Sequence, residues 1–121
     1  MSRQGQDLQN LAVATAKIIE DHKGTDTVLL NVSEINSWTD YFIITTAMSS
    51  GHLRGLVKEL RKFLADQQIE IQHKHKKIDD NGWELLDCGN IIIHLMSKEQ
   101  REFYDLDMLW HNGKKIPTKT A

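Results

Sequence analysis

Residues 41–52 read YFIITTAMSSGH. A β-branched and aromatic run gives way to small residues and a glycine. Leu53, Leu56, Val57, Leu60 and Leu64 then recur at helical spacing. The first part suits a strand, and the i, i+3, i+4 stripe suits an amphipathic helix. Strand, small-residue turn and helix in that order are the elementary step of an α/β fold. The same order lets many proteins hold a phosphate on the first amides of a helix. A P-loop needs G-x-x-x-x-G-K-[ST] and a dinucleotide fingerprint needs G-x-G-x-x-G. Neither spacing surrounds Ser49-Ser50-Gly51. The stretch reads as a serine-capped helix entered through Gly51.

Upstream, Leu8, Leu11, Ala12, Thr15, Ile18 and Ile19 mark an amphipathic helix, with Gly24 where a stop belongs. Thr27–Val32 and Tyr41–Thr46 read as strands, and Ile69 and Ile71 alternate like a half-exposed strand. Asp80-Asn81-Gly82 is a turn signal. Trp83–Asp87 and Ile91–Met96 form a predicted hairpin about Cys88-Gly89-Asn90. Ser97-Lys98-Glu99-Gln100 has the form of a capping box and opens a last helix. That helix carries Phe103, Leu106 and Trp110 towards the core and stops at Gly113. The pattern predicts one α/β domain over residues 1–113, a mixed five-stranded sheet flanked by helices, followed by a flexible basic tail at 114–121.

A chain of 121 residues with 40% hydrophobic and 26% charged residues fits one core. No apolar run approaches the roughly 20 residues of a membrane span. The polar N-terminus lacks a secretory pattern, and the single cysteine suits a reducing compartment, so a cytoplasmic protein is expected. The net charge of −2 conceals a division. Between Asp79 and Asp107 stand eight acids against Lys98 and Arg101, giving −6. Such a region suits a basic partner, although a merely solvated acidic surface is the first reading of the charge pattern alone.

The side chains offer little catalytic chemistry. Asp105 and Asp107 diverge by about 200° on a continuous helix and cannot share a metal there. Asp79-Asp80 is explained by turn chemistry. Cys88 and His94 could form a nucleophile and base, but no cation near Cys88 in sequence activates the thiol. His94 interrupts IIIHLM and should share a sheet face with Ile92 and Met96, as a structural histidine or a contact residue. His73 and His75 stand among lysines and do not complete a metal site. The basic run His73–Lys77, and Arg54, Lys58 and Arg61 along the second helix, could meet RNA phosphates or simply face water. Trp83 and Tyr104, at the edges of the acidic region, are the residue types that anchor protein interfaces, or else edge-of-core residues.

Three stretches carry a resemblance: WTDYFIITTAMSSGHLRGLVKELRKFL, GWELLDCGNIIIHLM and REFYDLDMLW. Together they resemble the Iojap-like family, the ribosomal silencing factors, from the first helix to Trp110. The most specific pieces are Asp40-Tyr41-Phe42, Trp83 with Leu86-Asp87-x-Gly89, His94, and Arg101-x-Phe-Tyr104-x-Leu-x-x-Leu-Trp110. The family's Glu-Gly pair before the tryptophan is absent from HKHKKIDDNGW, which leaves the 73–82 loop open. The resemblance implies a nucleotidyltransferase-like topology without enzymatic activity, cofactor or metal. It further implies binding to the large ribosomal subunit through its fourteenth protein, which obstructs small-subunit joining and represses translation under nutrient limitation. Organelle relatives are linked to assembly of that subunit. Trp83 and Tyr104 would meet the partner; Asp87, His94 and Arg101 would line that surface or brace it. Two alternatives stand beside this, a nucleotidyl- or phosphoryl-transfer enzyme and an assembly factor touching ribosomal RNA through Arg54, Lys58 and Arg61; off the ribosome a homodimer could form. The enzyme would need carboxylates beside Ser49-Ser50-Gly51, for which Asp40 and Asp87 are the candidates.

Overall fold

The computed structural model describes residues 5–72, 76–79 and 82–118. Helix α1 (Gly5–Asp21) leads through strands β1 (Thr25–Asn31) and β2 (Tyr41–Ala47) to helix α2 (Ser50–Asp66). Strands β3 (Lys76–Asp79), β4 (Trp83–Asp87) and β5 (Ile91–Ser97) follow, then helices α3 (Lys98–Tyr104) and α4 (Leu106–Leu109) and strand β6 (Lys114–Lys115). The sheet order is β3-β4-β5-β2-β1-β6. Among the described strands only β2 and β5 run parallel, in register from Tyr41 opposite Ile91 to Ala47 opposite Ser97. All seven residues of β2 are buried, as a central strand covered on both faces requires.

Alternation sorts the strands onto two faces. Ile91, Ile93 and Leu95, with Tyr41 and Ile43, pack against Leu11, Ala16 and Ile19 of α1 and the Leu53–Leu64 stripe of α2. Ile92 and Met96, with Phe42, Ile44 and Trp83, form a second, smaller core closed by Leu106 of α4. The serine cap of the opening stretch is present: Ser49 is extended, and its hydroxyl accepts from the His52 amide at 3.0 Å. Ser97 caps α3 in the same way through the Gln100 amide at 3.1 Å. The hairpin about Cys88–Asn90 is also present, with β4 and β5 antiparallel.

Several expectations are corrected. The third strand is Lys76–Asp79, not Ile69–Ile71; those isoleucines are half-buried against the first core from an irregular segment, so their alternation reflects packing alone. Lys114–Lys115, expected in the tail, pair with Leu30 and Asn31 as a sixth strand, and Ile116 packs on the first core. The last helix is broken at Asp105, which is left-handed with φ of 47°. The break turns Phe103 outwards, leaving it 79% exposed, while Leu106 remains buried and Trp110 half-buried. At the end of α1 the left-handed residue is Lys23, one before Gly24. Gly24 is required for space: a Cβ there would stand 2.4 Å from Ile19 Cγ2. The His73–His75 part of the basic run and the Asp80-Asn81 turn lie outside the described residues.

Candidate docking surface

Trp83 opens β4 opposite Met96, so its indole lies on the face of the second core. Tyr104, last in α3, packs its ring on that indole with centroids 4.7 Å apart and planes at 53°. Phe103 meets Tyr104 edge-on at 5.0 Å. The three rings grade from Trp83, 9% exposed, through Tyr104 at 43% to Phe103 at 79%. Trp83 is therefore a platform, and Tyr104 and Phe103 are the rings a partner can reach.

His94 sits beneath, on the same face. The Trp83 indole N–H donates to His94 Nδ1 at 3.3 Å. Indole nitrogen is a donor only, so Nδ1 is the unprotonated nitrogen and the neutral ring carries its proton on Nε2. Nε2 is shut off from solvent and has no partner among the described groups. Burial pushes the imidazole down to about 4, since the charged form would lose its hydration. His94 also meets Phe42 edge-on at 5.2 Å, and Phe42 meets Trp110 at 4.5 Å. The chain of rings ends at Trp38, exposed before β2 and 5.6 Å from Phe42.

Arg101 secures α3, none of whose residues is buried. Its guanidinium grips both Asp107 oxygens, Nε at 3.2 Å and Nη2 at 2.9 Å. Nη1 donates to the Asp26 carbonyl at 2.6 Å and to the Thr46 hydroxyl at 3.1 Å. One side chain thus ties α3 to α4, β1 and β2. The hydrogen bond from Arg101 holds the Asp107 carboxyl below its ordinary range. The continuous-helix geometry expected of Asp105 and Asp107 does not apply, because the chain turns between them.

The remaining sequence-predicted residues stand elsewhere. Asp87 ends β4, roughly 13 Å along the strand from Trp83, and its carboxylate accepts from the Gly89 amide at 2.8 Å inside the hairpin turn. Arg54, Lys58 and Arg61 are exposed on α2, which covers the other face of the sheet. Lys58 and Arg61 stay on that face, whereas Arg54, near the start of α2, also lines the cleft at that end of the helix. Cys88 packs on the α1–α2 side, away from His94, and burial with the Asp87 charge pushes its thiol up to about 12. Thiol and imidazole form no nucleophile–base pair.

A cleft of 1290 Å³ opens at the carboxyl ends of β2 and β5, between the start of α2 and the α3–α4 turn. Asp26, Glu84, Glu99, Glu102, Asp105 and Asp107 line it, with Arg54, Lys98 and Arg101. Asp40 and Asp87 do not; they lie at the opposite end of the strands, roughly 15–20 Å away. Sequence reasoning missed Asp26 and Glu84 as neighbours of Ser49 because only the sheet register unites them. Among the described residues no group of three or more potential ligands could hold a metal ion. No described helix is long and apolar enough to cross a membrane.

These features define a small α/β domain with a ring-bearing surface beside an acidic cleft. Residues 5–121 match the family model described as "Ribosomal silencing factor during starvation". The chain belongs to that ribosomal silencing factor family. It is 31% identical over 111 residues to "Ribosomal silencing factor RsfS" of Halalkalibacterium halodurans, covering 92% of each chain. It is 32% identical over 107 residues to "Protein Iojap, chloroplastic" of Zea mays, covering 88% of this chain and 46% of that one. A crystal structure of a Chromobacterium violaceum protein superposes with a TM-score of 0.77 at 25% identity, covering 98% and 95% of the two chains.

Proposed function

We propose that this chain binds the large ribosomal subunit through its fourteenth protein and, by occupying that surface, keeps the small subunit from joining. Translation then falls when nutrients are scarce, and the protein works in the compartment of its ribosomes, the bacterial cytoplasm. The fold is read as nucleotidyltransferase-like in topology, without catalysis, because obstruction needs a rigid surface and no reacting group. The observation that carries this reading is the exposed Phe103–Tyr104 pair seated on a buried indole, in a chain of this family. Aromatic side chains held rigid from below lose little entropy on binding and dominate interfaces. Tyr104 and Phe103 make the contact, Trp83 carries them, and His94, Arg101 and Asp87 brace the scaffold.

Sedimentation of purified subunits with added protein tests it. Saturating protein should shift joined ribosomes towards separate subunits and co-sediment with the large one. Tyr104→Ala should weaken that binding by about 1–3 kcal/mol with little change in melting temperature. Trp83→Ala should instead unsettle the fold by about 3–5 kcal/mol. Free subunit joining at saturation would refute the reading.

A further inference from the structure

The acidic cleft has a construction that obstruction alone does not explain. Its floor is apolar, made by Val28, Ala47, Leu53 and Val57. Four carboxylates on its rim, Asp26, Glu99, Glu102 and Asp105, have no ion-pair or hydrogen-bond partner for their side chains among the described residues. Arg101 is spent on Asp107, so among the described residues the lining offers Arg54 and Lys98 as the remaining cations. Its volume of 1290 Å³ exceeds the roughly 300–1,000 Å³ of small-molecule pockets and suits a length of chain.

We propose that this cleft is a groove for a lysine- or arginine-bearing segment of the protein partner, seated beside the exposed rings. Long basic side chains lay their methylene stems on apolar surface and keep their charge at its edge. An apolar floor under an acidic rim is the complement of such a segment. The groove is continuous with the ring surface, because Gly82 precedes Trp83 and Asp105 follows Tyr104. Unpaired carboxylates repel phosphates, so the same rim disfavours RNA. The proposal rests on the docking reading for the partner's identity, whereas the groove's preference for a basic segment is a property of this chain alone.

The test has two arms. First, an alternating lysine–leucine peptide is titrated into the isotope-labelled protein, with a glutamate–leucine peptide as control. Amide shifts should move at Ala47, Leu53 and Glu102 for the basic peptide only. They should vanish in the Asp26→Asn/Glu102→Gln/Asp105→Asn variant, in which asparagine still tolerates the left-handed backbone at positions 26 and 105. Second, the variant should bind purified large subunits about tenfold more weakly and with a flatter dependence on salt, at unchanged melting temperature. Absence of peptide shifts at those amides, or equal shifts with both peptides, overturns the groove whatever the subunits do. Undiminished subunit binding by the variant also overturns it while leaving the obstruction reading standing. Peptide binding without any subunit binding by the wild type supports the groove and refutes the obstruction.

Discussion

Acidification should weaken this protein through one buried ring. His94 is 7% exposed, and its value lies at about 4 against an ordinary 6.5. In the unfolded chain the imidazole takes a proton as pH falls below that ordinary value; in the folded chain it does so only near 4. Between those limits the unfolded state binds more protons, so stability is full above pH 6.5 and declines as pH falls. At about 1.36 kcal/mol per pH unit, the loss is about 2 kcal/mol by pH 5 and roughly 3 kcal/mol once both states are protonated. Urea unfolding at pH 7 and pH 5 reads it, with His94→Gln as the comparison. Glutamine offers a carbonyl to the Trp83 indole N–H and does not titrate. The wild type should lose about 2 kcal/mol more than the variant across that interval, other groups cancelling in the difference. Equal losses would refute the burial argument. So would a ring resonance of His94 that titrates near 6.5.

Arg101→Ala removes the guanidinium that joins α3 to three other elements and should lower stability by about 2 kcal/mol. Tryptophan emission should redden as Tyr104 loosens from Trp83, and the Asp107 carboxyl should titrate higher than in the wild type. Gly24→Ala forces a methyl against Ile19 and the Thr45 hydroxyl and should cost about 1–3 kcal/mol by thermal denaturation; a neutral result would show that the turn can shift.

Local patterns in the chain reported most of the frame. Both serine caps, the α2 stripe and the β4–β5 hairpin follow from rules that operate within a few residues. The failures share a cause. Ile69 and Ile71 alternate because both touch the first core, yet the Ile69 amide donates back to the Leu64 carbonyl and it is the Gln72 amide that reaches β4, at the Asp87 carbonyl. Asp105 sits within a strong helical pattern, and the break there is visible only once Leu106 must enter the second core while Arg101 reaches back to β1 and β2. Trp83 and Tyr104 were legible as a motif. Their unequal exposure was not, because it depends on which ring lies above the other.

That inequality bears on how a surface can be both rigid and available. The face under α1 and α2 holds the larger core and the long leucine stripe. The opposite face is covered by two short helices, one with no buried residue and fastened chiefly by Arg101. The larger share of the buried apolar side chains lies on the first face, and on the second Phe103 and Tyr104 stand exposed above a smaller core. An exposed ring must still be prevented from collapsing onto the sheet. Trp83 fills that space, and its indole is fixed in turn by a histidine whose remaining nitrogen is buried with no partner among the described residues. A buried orphan donor of this kind costs about 1–3 kcal/mol. The fold carries that cost at the position that satisfies the buried indole N–H of Trp83, a donor that an apolar side chain would leave orphaned.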